Sequence, residues 1–210
     1  MFEWKLIAQD GKARAGEFYT PHGILHTPIF APVGTQATVK AVTPDQLDRV
    51  GAELVLANTY HLYLRPGDEL VAEMGGLHEF MQWPKPMLTD SGGFQVYSLS
   101  DTRKIDEDGV TFKSHIDGSF KRLTPEASIH VQENLGADII MAFDECSDPN
   151  NYEYSKQAMA RTHAWARRSL EAKSRPDQAL FGIVQGGVFA DLREESAQSI
   201  STMGFEGHAI

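Results

Sequence analysis

Thiols are almost absent from this chain: Cys146 is the one cysteine among 210 residues. A single thiol excludes an intrachain disulfide and any zinc site built mainly from thiolates. No run of about 18 apolar residues occurs, so no membrane-spanning helix is expected. The opening Met1-Phe2-Glu3-Trp4-Lys5-Leu6-Ile7 lacks the basic start and apolar stretch of a secretory signal. Positive charge is also short, with 19 Lys+Arg against 29 Asp+Glu and a formal net charge of −10, which argues against a nucleic-acid coat with a generally basic surface. Neither Gly-x-Gly-x-x-Gly nor Gly-x-Ser-x-Gly is found, and Lys40 lacks the preceding glycine of a phosphate loop. These absences leave the expectation of a soluble, cytoplasmic chain. Its 41% hydrophobic residues, with 11 Phe, 6 Tyr and 3 Trp, supply apolar surface for an ordered core, and the length suits one domain over residues 1–210.

Residues 1–26 read as short antiparallel strands, 3–7 and 14–20, broken by turns at Asp10-Gly11 and Pro21-His22-Gly23. Beyond Thr27, apolar runs recur that are too continuous for half-exposed strands: 28–33, 54–57, 87–89, 139–143 and 180–184. Such runs suit parallel strands buried on both faces, and the helical stretches between them imply right-handed crossovers. Helix starts are marked locally. Thr43-Pro44-Asp45-Gln46 offers an N-cap, a proline at the first helical position and a glutamine at the third, and Thr124-Pro125-Glu126 repeats the device. A long helix is expected from about Tyr154 to Ser174, and Gly51 and Gly136 sit where helices should close. Residues 105–123, with turns at 106–109 and at Asp117-Gly118, read as an inserted hairpin. Residues 207–210 look like the start of a sixth strand. The count fits either an open sheet or a barrel cut short, since a closed (β/α)8 barrel takes about 250 residues.

Four of the apolar runs lead into a polar group: 54–57 to Asn58, 87–89 to Asp90, 139–143 to Asp144, and 180–184 to Gln185. In a parallel sheet those carboxyl ends share one face, where α/β proteins build their sites. The spacing predicts that the four converge. Asp90 opens Asp90-Ser91-Gly92-Gly93-Phe94-Gln95, and paired glycines after a strand let backbone approach a flat ligand while leaving N–H groups available to it. Gln185-Gly186-Gly187 repeats the arrangement.

Other candidates carry less. His22 and His26 are kept off a helix by Pro21, Gly23 and Pro28, so their spacing predicts no metal pair. Asp106-Glu107-Asp108-Gly109 lacks the ligand pattern of a calcium loop and reads as a turn. Cys146 has no adjacent histidine to activate it and reads as apolar pocket lining. Residues 156–175 hold Lys156, Arg161, Arg167, Arg168, Lys173 and Arg175 against Glu171. Arg161, Arg168 and Arg175 share one helical face, which reads as solvated, with a phosphate-contact stripe as the alternative.

Thr89-Asp90-Ser91-Gly92-Gly93-Phe94-Gln95-Val96, Met141-Ala142-Phe143-Asp144-Glu145-Cys146 and Gly182-Ile183-Val184-Gln185-Gly186-Gly187 resemble three signature segments of the bacterial tRNA-guanine transglycosylases, in the family's order. Asn58-Thr59-Tyr60-His61-Leu62 with Arg65-Pro66-Gly67 resembles a fourth, and the similarity spans the chain. It implies a TIM barrel of this family's type, here cut short after about five β/α units, with a small N-terminal antiparallel sheet and the inserted hairpin.

The activity implied is exchange of guanine at the tRNA wobble position for preQ1, through a covalent enzyme–RNA intermediate. Asp90 matches the family's proton acceptor. Ser91, Gly92, Gly93, Phe94, Asp144 and Gln185 match its base pocket, with Asn58, Cys146, Gly186 and Gly187 as supporting residues. Phe94 stands where a tyrosine is common, which keeps stacking and drops a hydroxyl. The resemblance also implies tRNA with a GUN anticodon as partner, a homodimer, no membrane, and a structural zinc. The family's nucleophilic aspartate and Cys3His zinc ligands fall after Ile210, so no metal or cofactor is expected in these residues, and exchange activity is not expected of them alone. Two other readings stay open: a non-catalytic subunit that binds base or tRNA, and a two-carboxylate glycosidase using Asp90 and Asp144, which requires the carboxyl groups about 5 Å apart.

Overall fold

The first strands are β1 (Glu3–Asp10), β2 (Ala13–Thr20) and β3 (Gly23–Thr27), an antiparallel sheet in that order. This is a computed structural model describing residues 2–99 and 102–210. Helix α1 (Pro44–Arg49) then precedes β4 (Val55–Ala57), and α2 (Thr59–Leu64), α3 (Asp68–Glu73) and α4 (Gly76–Met81) lead to β5 (Met87–Thr89). After α5 (Gly93–Leu99), strands β6 (Arg103–Asp106), β7 (Gly109–Lys113) and β8 (Phe120–Leu123) form a separate antiparallel sheet. The remaining order is α6 (Pro125–Leu135), β9 (Ile139–Met141), α7 (Tyr152–Ala172), β10 (Ala179–Ile183), α8 (Ala190–Ser201) and β11 (Gly207–Ala209). Among the described residues no helix is long and apolar enough to cross a membrane.

Strands β4, β5, β9, β10 and β11 make one parallel sheet in the order β11-β10-β9-β5-β4. Each is paired with the next parallel strand along the chain, so all five carboxyl ends face the same way with no reversal of order. One face packs on helices through Val55, Met87, Ile140 and Leu180 against Leu62, Ile129 and Ile200. Each such fully buried aliphatic side chain contributes about 1.5–3 kcal/mol. On the other side, Leu25 of β3 and Leu54 and Ile139 form a smaller cluster joined by Phe18, Leu88 and Phe181, which seats the N-terminal sheet.

Residues 28–33 are not a buried strand. Pro28 and Pro32 have no N–H for a ladder, and the segment meets β4 at one bridge, Val33 to Leu56, while Phe30 is 80% exposed. Among the described residues the parallel strands therefore number five including β11. The inserted segment is a three-strand meander beginning at Arg103 rather than a hairpin over 105–123. It is pinned to α7 by Trp165, which stacks on Phe143 at 5.0 Å and donates its indole N–H to Glu107 O at 2.8 Å.

The capping signals act as the local chemistry dictates. Thr43 and Gln46 form a reciprocal capping box, and Thr124 accepts from Ala127 N. Gly136 closes α6 in the left-handed conformation, and Gly51 lies just past the Val50 cap of α1 at φ +76°. The long helix runs from Tyr152 to Ala172, started by Asn151.

Candidate functional site

Asn58, Asp90, Asp144 and Gln185 lie just past the carboxyl ends of β4, β5, β9 and β10, four adjacent strands. They form two linked hydrogen-bonded groups. In the first, Asp90 Oδ2 accepts from Asn58 Nδ2 at 2.5 Å and from Gln95 Nε2 at 2.9 Å. Its Oδ1 accepts from the backbone N–H groups of Thr59 at 2.9 Å and Gly92 at 3.2 Å. Four donors fill the roughly four lone-pair positions of a carboxylate. Burial nevertheless raises the Asp90 pKa, because loss of hydration outweighs the donors.

In the second group, Asp144 Oδ1 accepts from Ser91 Oγ at 2.6 Å, and Oδ2 accepts from Gln185 Nε2 at 2.8 Å. The Cys146 thiol is 3.7 Å from the same Oδ2. Burial again comes first in raising the Asp144 pKa, and the Asp90 charge adds to it. Burial also pushes the Cys146 thiol up, so it stays protonated and serves as a weak donor rather than as plain apolar lining. The space enclosed beside Asp144, Gly93 and Cys146 is about 10 Å³, water-sized at most.

The β5–α5 turn holds the two groups together. Gly92 has φ +83°, a conformation that favours glycine. A Cβ on Gly93 would sit 2.4 Å from Asp144 O, so the turn reaches its position against the end of β9 only without a side chain. The N–H groups of these glycines are not free for a ligand, contrary to the sequence expectation. Gly92 N–H goes to Asp90 and Gly93 N–H donates to Ser91 Oγ at 3.1 Å, because a buried turn cannot leave donors orphaned. Phe94, the next residue, is 59% exposed.

Below Gln185, its backbone N–H donates to Ser196 Oγ at 3.0 Å, and that hydroxyl is 2.9 Å from His163 Nε2. Gly186 and Gly187 both have positive φ and pass against Arg193 N and Pro149 O, where a Cβ would come within 2.7 Å. The side chain of Glu145 is buried against Tyr154 OH at 2.7 Å and pairs with Arg161. Arg161 also reaches Glu107, Arg168 forks onto Glu126, and Arg175 bonds Asp177. The expected face is shorter than the spacing suggested, since α7 ends at Ala172 and Arg175 lies beyond it, and each of the three arginines pairs with an acid of this chain.

Sequence reasoning passed over several participants. Thr59 N–H and Gln95 hold Asp90, Ser128 Oγ donates to Ser91 O at 2.7 Å, and Ser196 seats Gln185. Thr59 and Gln95 adjoin residues already singled out, which was the available signal. Ser128 and Ser196 sit within helices and carry none. His22 and His26 part company, bonding Asp138 and Glu53 respectively.

The family pattern described as Queuine tRNA-ribosyltransferase matches residues 9–210. Among curated relatives, the queuine tRNA-ribosyltransferase of Herpetosiphon aurantiacus is 64% identical over 210 residues, covering 100% of this chain and 54% of the relative. That of Halothermothrix orenii is 59% identical over 200 residues, 95% of this chain and 54% of the relative. That of Streptococcus gordonii is 59% identical over 212 aligned positions, 99% and 56%. The chain spans about half the length of the curated relatives it matches.

Proposed function

The chain belongs to the queuine tRNA-ribosyltransferase family, and from that premise we propose that it serves the exchange of guanine for preQ1 at the wobble position of tRNAs with a GUN anticodon. The observation that carries the reading is the Ser91–Asp144–Gln185 arrangement, a buried carboxylate flanked by an amide. Guanine and preQ1 share an N–H beside an exocyclic amino group, two parallel donors that one carboxylate accepts side by side. Asp144 takes that edge. Gln185 turns its amide from Asp144 to the base carbonyl, and Phe94 stacks on the ring, worth about 1–3 kcal/mol per base. A nucleotide turned out of the anticodon stack needs a pocket larger than the space of about 10 Å³ enclosed beside Asp144 here, so in this reading Gln185 moves aside as the base enters.

Asp90 acts as proton acceptor for the incoming base. Its raised pKa suits a carboxylate that holds a proton transiently, and it must first give up one of its four donors. The two carboxylates share no hydrogen-bond partner, which supports giving them different tasks in this reading. In this reading the five consecutive parallel strands are part of the wall of a (β/α)8 barrel, with residues 1–26 and 105–123 as additions to one domain. A cytoplasmic homodimer is the working form. The zinc implied by the family needs a Cys3His set. These residues do not fit it, because Cys146 is the one thiol and already lies against Asp144, so no step is assigned to that metal.

The test is calorimetric titration of guanine and preQ1 into the protein and into Asp144→Ala and Asp90→Ala. Two charge-assisted bonds replace two existing ones, so the net loss for Asp144→Ala is about 2–3 kcal/mol, or roughly 30- to 150-fold in Kd. Asp90→Ala should weaken binding less. Equal losses, or a larger one at Asp90, would reverse the assignment, and adenine binding as well as guanine would remove it.

A further inference from the structure

At the opposite ends of the parallel strands lies a second cluster that the exchange reaction does not use. Asp138 immediately precedes β9 and is 1% exposed. Its Oδ1 lies 2.8 Å from His22 Nδ1, and its Oδ2 lies 3.1 Å from His78 Nε2. The two imidazoles stack face to face, centroids 3.5 Å apart and planes 16° from parallel. Three ligand-type atoms from three remote segments, the β2–β3 turn, α4 and the start of β9, thus lie within 4.8 Å of one another.

The carboxylate is also held independently of the imidazole rings. Each oxygen also accepts a backbone N–H, from His22 at 3.2 Å on Oδ1 and from Met87 at 2.9 Å on Oδ2. Such outer contacts orient a metal-binding carboxylate. Among the described residues no lysine or arginine pairs with Asp138, whose pKa is lowered by His78, Met87 N–H and His22 against the opposing effect of burial. A second carboxylate, Asp177, lines the same cleft of about 650 Å³.

We propose that His22, His78 and Asp138 form a three-ligand site for a divalent cation of the zinc type, with water in the fourth position facing the cleft. Two neutral imidazoles and one carboxylate are a donor set typical of open zinc sites. Bonds of about 2.0–2.1 Å in a tetrahedron place ligand atoms about 3.3 Å apart. The present N–O separations of 2.8 and 3.1 Å need to open by tenths of an ångström, and one ring must also turn out of the stack so that both in-plane lone pairs meet at one ion, a movement open to His22, whose side chain is 41% exposed. The cation takes the place of the ring protons now shared with Asp138, leaving His22 protonated on Nε2 and His78 on Nδ1. The ion would tie the N-terminal sheet to the parallel sheet, joining segments 116 and 60 residues from Asp138 in sequence.

The test strips the protein with a chelator and titrates zinc chloride calorimetrically at neutral pH, with cobalt(II) as a spectroscopic stand-in. One zinc per chain, visible d–d bands of four-coordinate cobalt, and a Tm raised by roughly 5–10 °C at a hundredfold excess over Kd are expected. His22→Ala and His78→Ala should each weaken binding at least about tenfold, while His208→Ala, on exposed β11, should leave it unchanged. His22 lies in a half-exposed turn, so its variant keeps the test sound if His78→Ala fails to fold. Absence of stoichiometric zinc uptake, or uptake that His22→Ala leaves unaltered, would overturn the site and leave a hydrogen-bonded His–Asp–His cluster.

Discussion

Gly93→Ala is the smallest change that should disrupt the site. The added methyl would lie 2.4 Å from Asp144 O, 2.8 Å from Asp144 Oδ1 and 3.2 Å from Ser91 Oγ, where ordinary contact begins near 3.4 Å. The obstacle at 2.4 Å is backbone just past β9, which cannot swing aside like a side chain. Relief requires the β5–α5 turn and the end of β9 to part by about 1 Å, which would stretch the 2.6 Å Ser91–Asp144 bond beyond hydrogen-bond range. Overpacking of this kind costs about 1–3 kcal/mol, and losing a bond to a charged acceptor about 1.5–3 kcal/mol. Against these stands a gain of about 0.4–1 kcal/mol from replacing glycine where its φ is not positive.

The expected net is a destabilisation of about 2–4 kcal/mol, a fall in Tm of roughly 5–15 °C for a chain of this size. Gly51→Ala is the comparison. It meets no atom within 4 Å but has φ +76°, so its cost is the left-handed strain alone, about 1–2 kcal/mol. Thermal and urea unfolding of the two variants beside the parent measures the difference. A Gly93→Ala protein melting with the parent, or above Gly51→Ala, would refute the close approach of turn and strand.

Acidification should separate binding from stability. The Asp144 pKa is raised above its ordinary 3.8, and base recognition needs the ionised form, so preQ1 affinity should fall with pH in a window above 3.8, readable by calorimetry across pH. A folded-state pKa that is raised contributes stability fully present below 3.8 and lost as pH rises through the folded value. In that window, therefore, the Asp144 contribution to Tm should rise as binding weakens, and both moving together would count against ionised Asp144 as the base acceptor. Trp165→Phe keeps the stack on Phe143 but loses the bond to Glu107 O and opens space at a fully buried position. A loss of about 1–3 kcal/mol is expected in urea unfolding, and an unchanged midpoint would show that the meander is anchored elsewhere.

Local signals translated most directly into structure. Thr43 and Thr124 cap helices because the interactions involved span three residues, and strands β4, β5, β9 and β10 coincide with apolar runs because both of their faces are covered. Residues 28–33 are equally apolar, yet their prolines and their place at the edge of β4 prevent a ladder, a property of pairing that hydrophobicity does not encode. Between Thr59 and Met81 three six-residue helices replace what a periodicity search would need to find, since helices this short present less than two turns of pattern. The arginine face on α7 followed from spacing, but its partners Glu107, Glu126 and Glu145 come from elements far apart in sequence. His22 makes the same point: its partner is Asp138, not His26.

The position of each candidate residue was legible, whereas its hydrogen-bonding state was not, and the second matters more for chemistry. A strand-end carboxylate read from sequence suggests an acceptor waiting for a ligand. The folded chain instead fills Asp90 with four donors and Asp144 with a hydroxyl, an amide and a thiol contact, because a buried carboxylate left unpaired would cost several kcal/mol. Ligand binding at such a site is an exchange of donors, and its energy is a difference between two satisfied states. On the proposed reading, a bidentate base would therefore gain about 1 kcal/mol per bond rather than the full strength of a charged hydrogen bond. Ser91 and Gln185, which supply the resting donors of Asp144, would on the same reading set base affinity as directly as that carboxylate does, and Ser196 beneath Gln185 would set it at one remove.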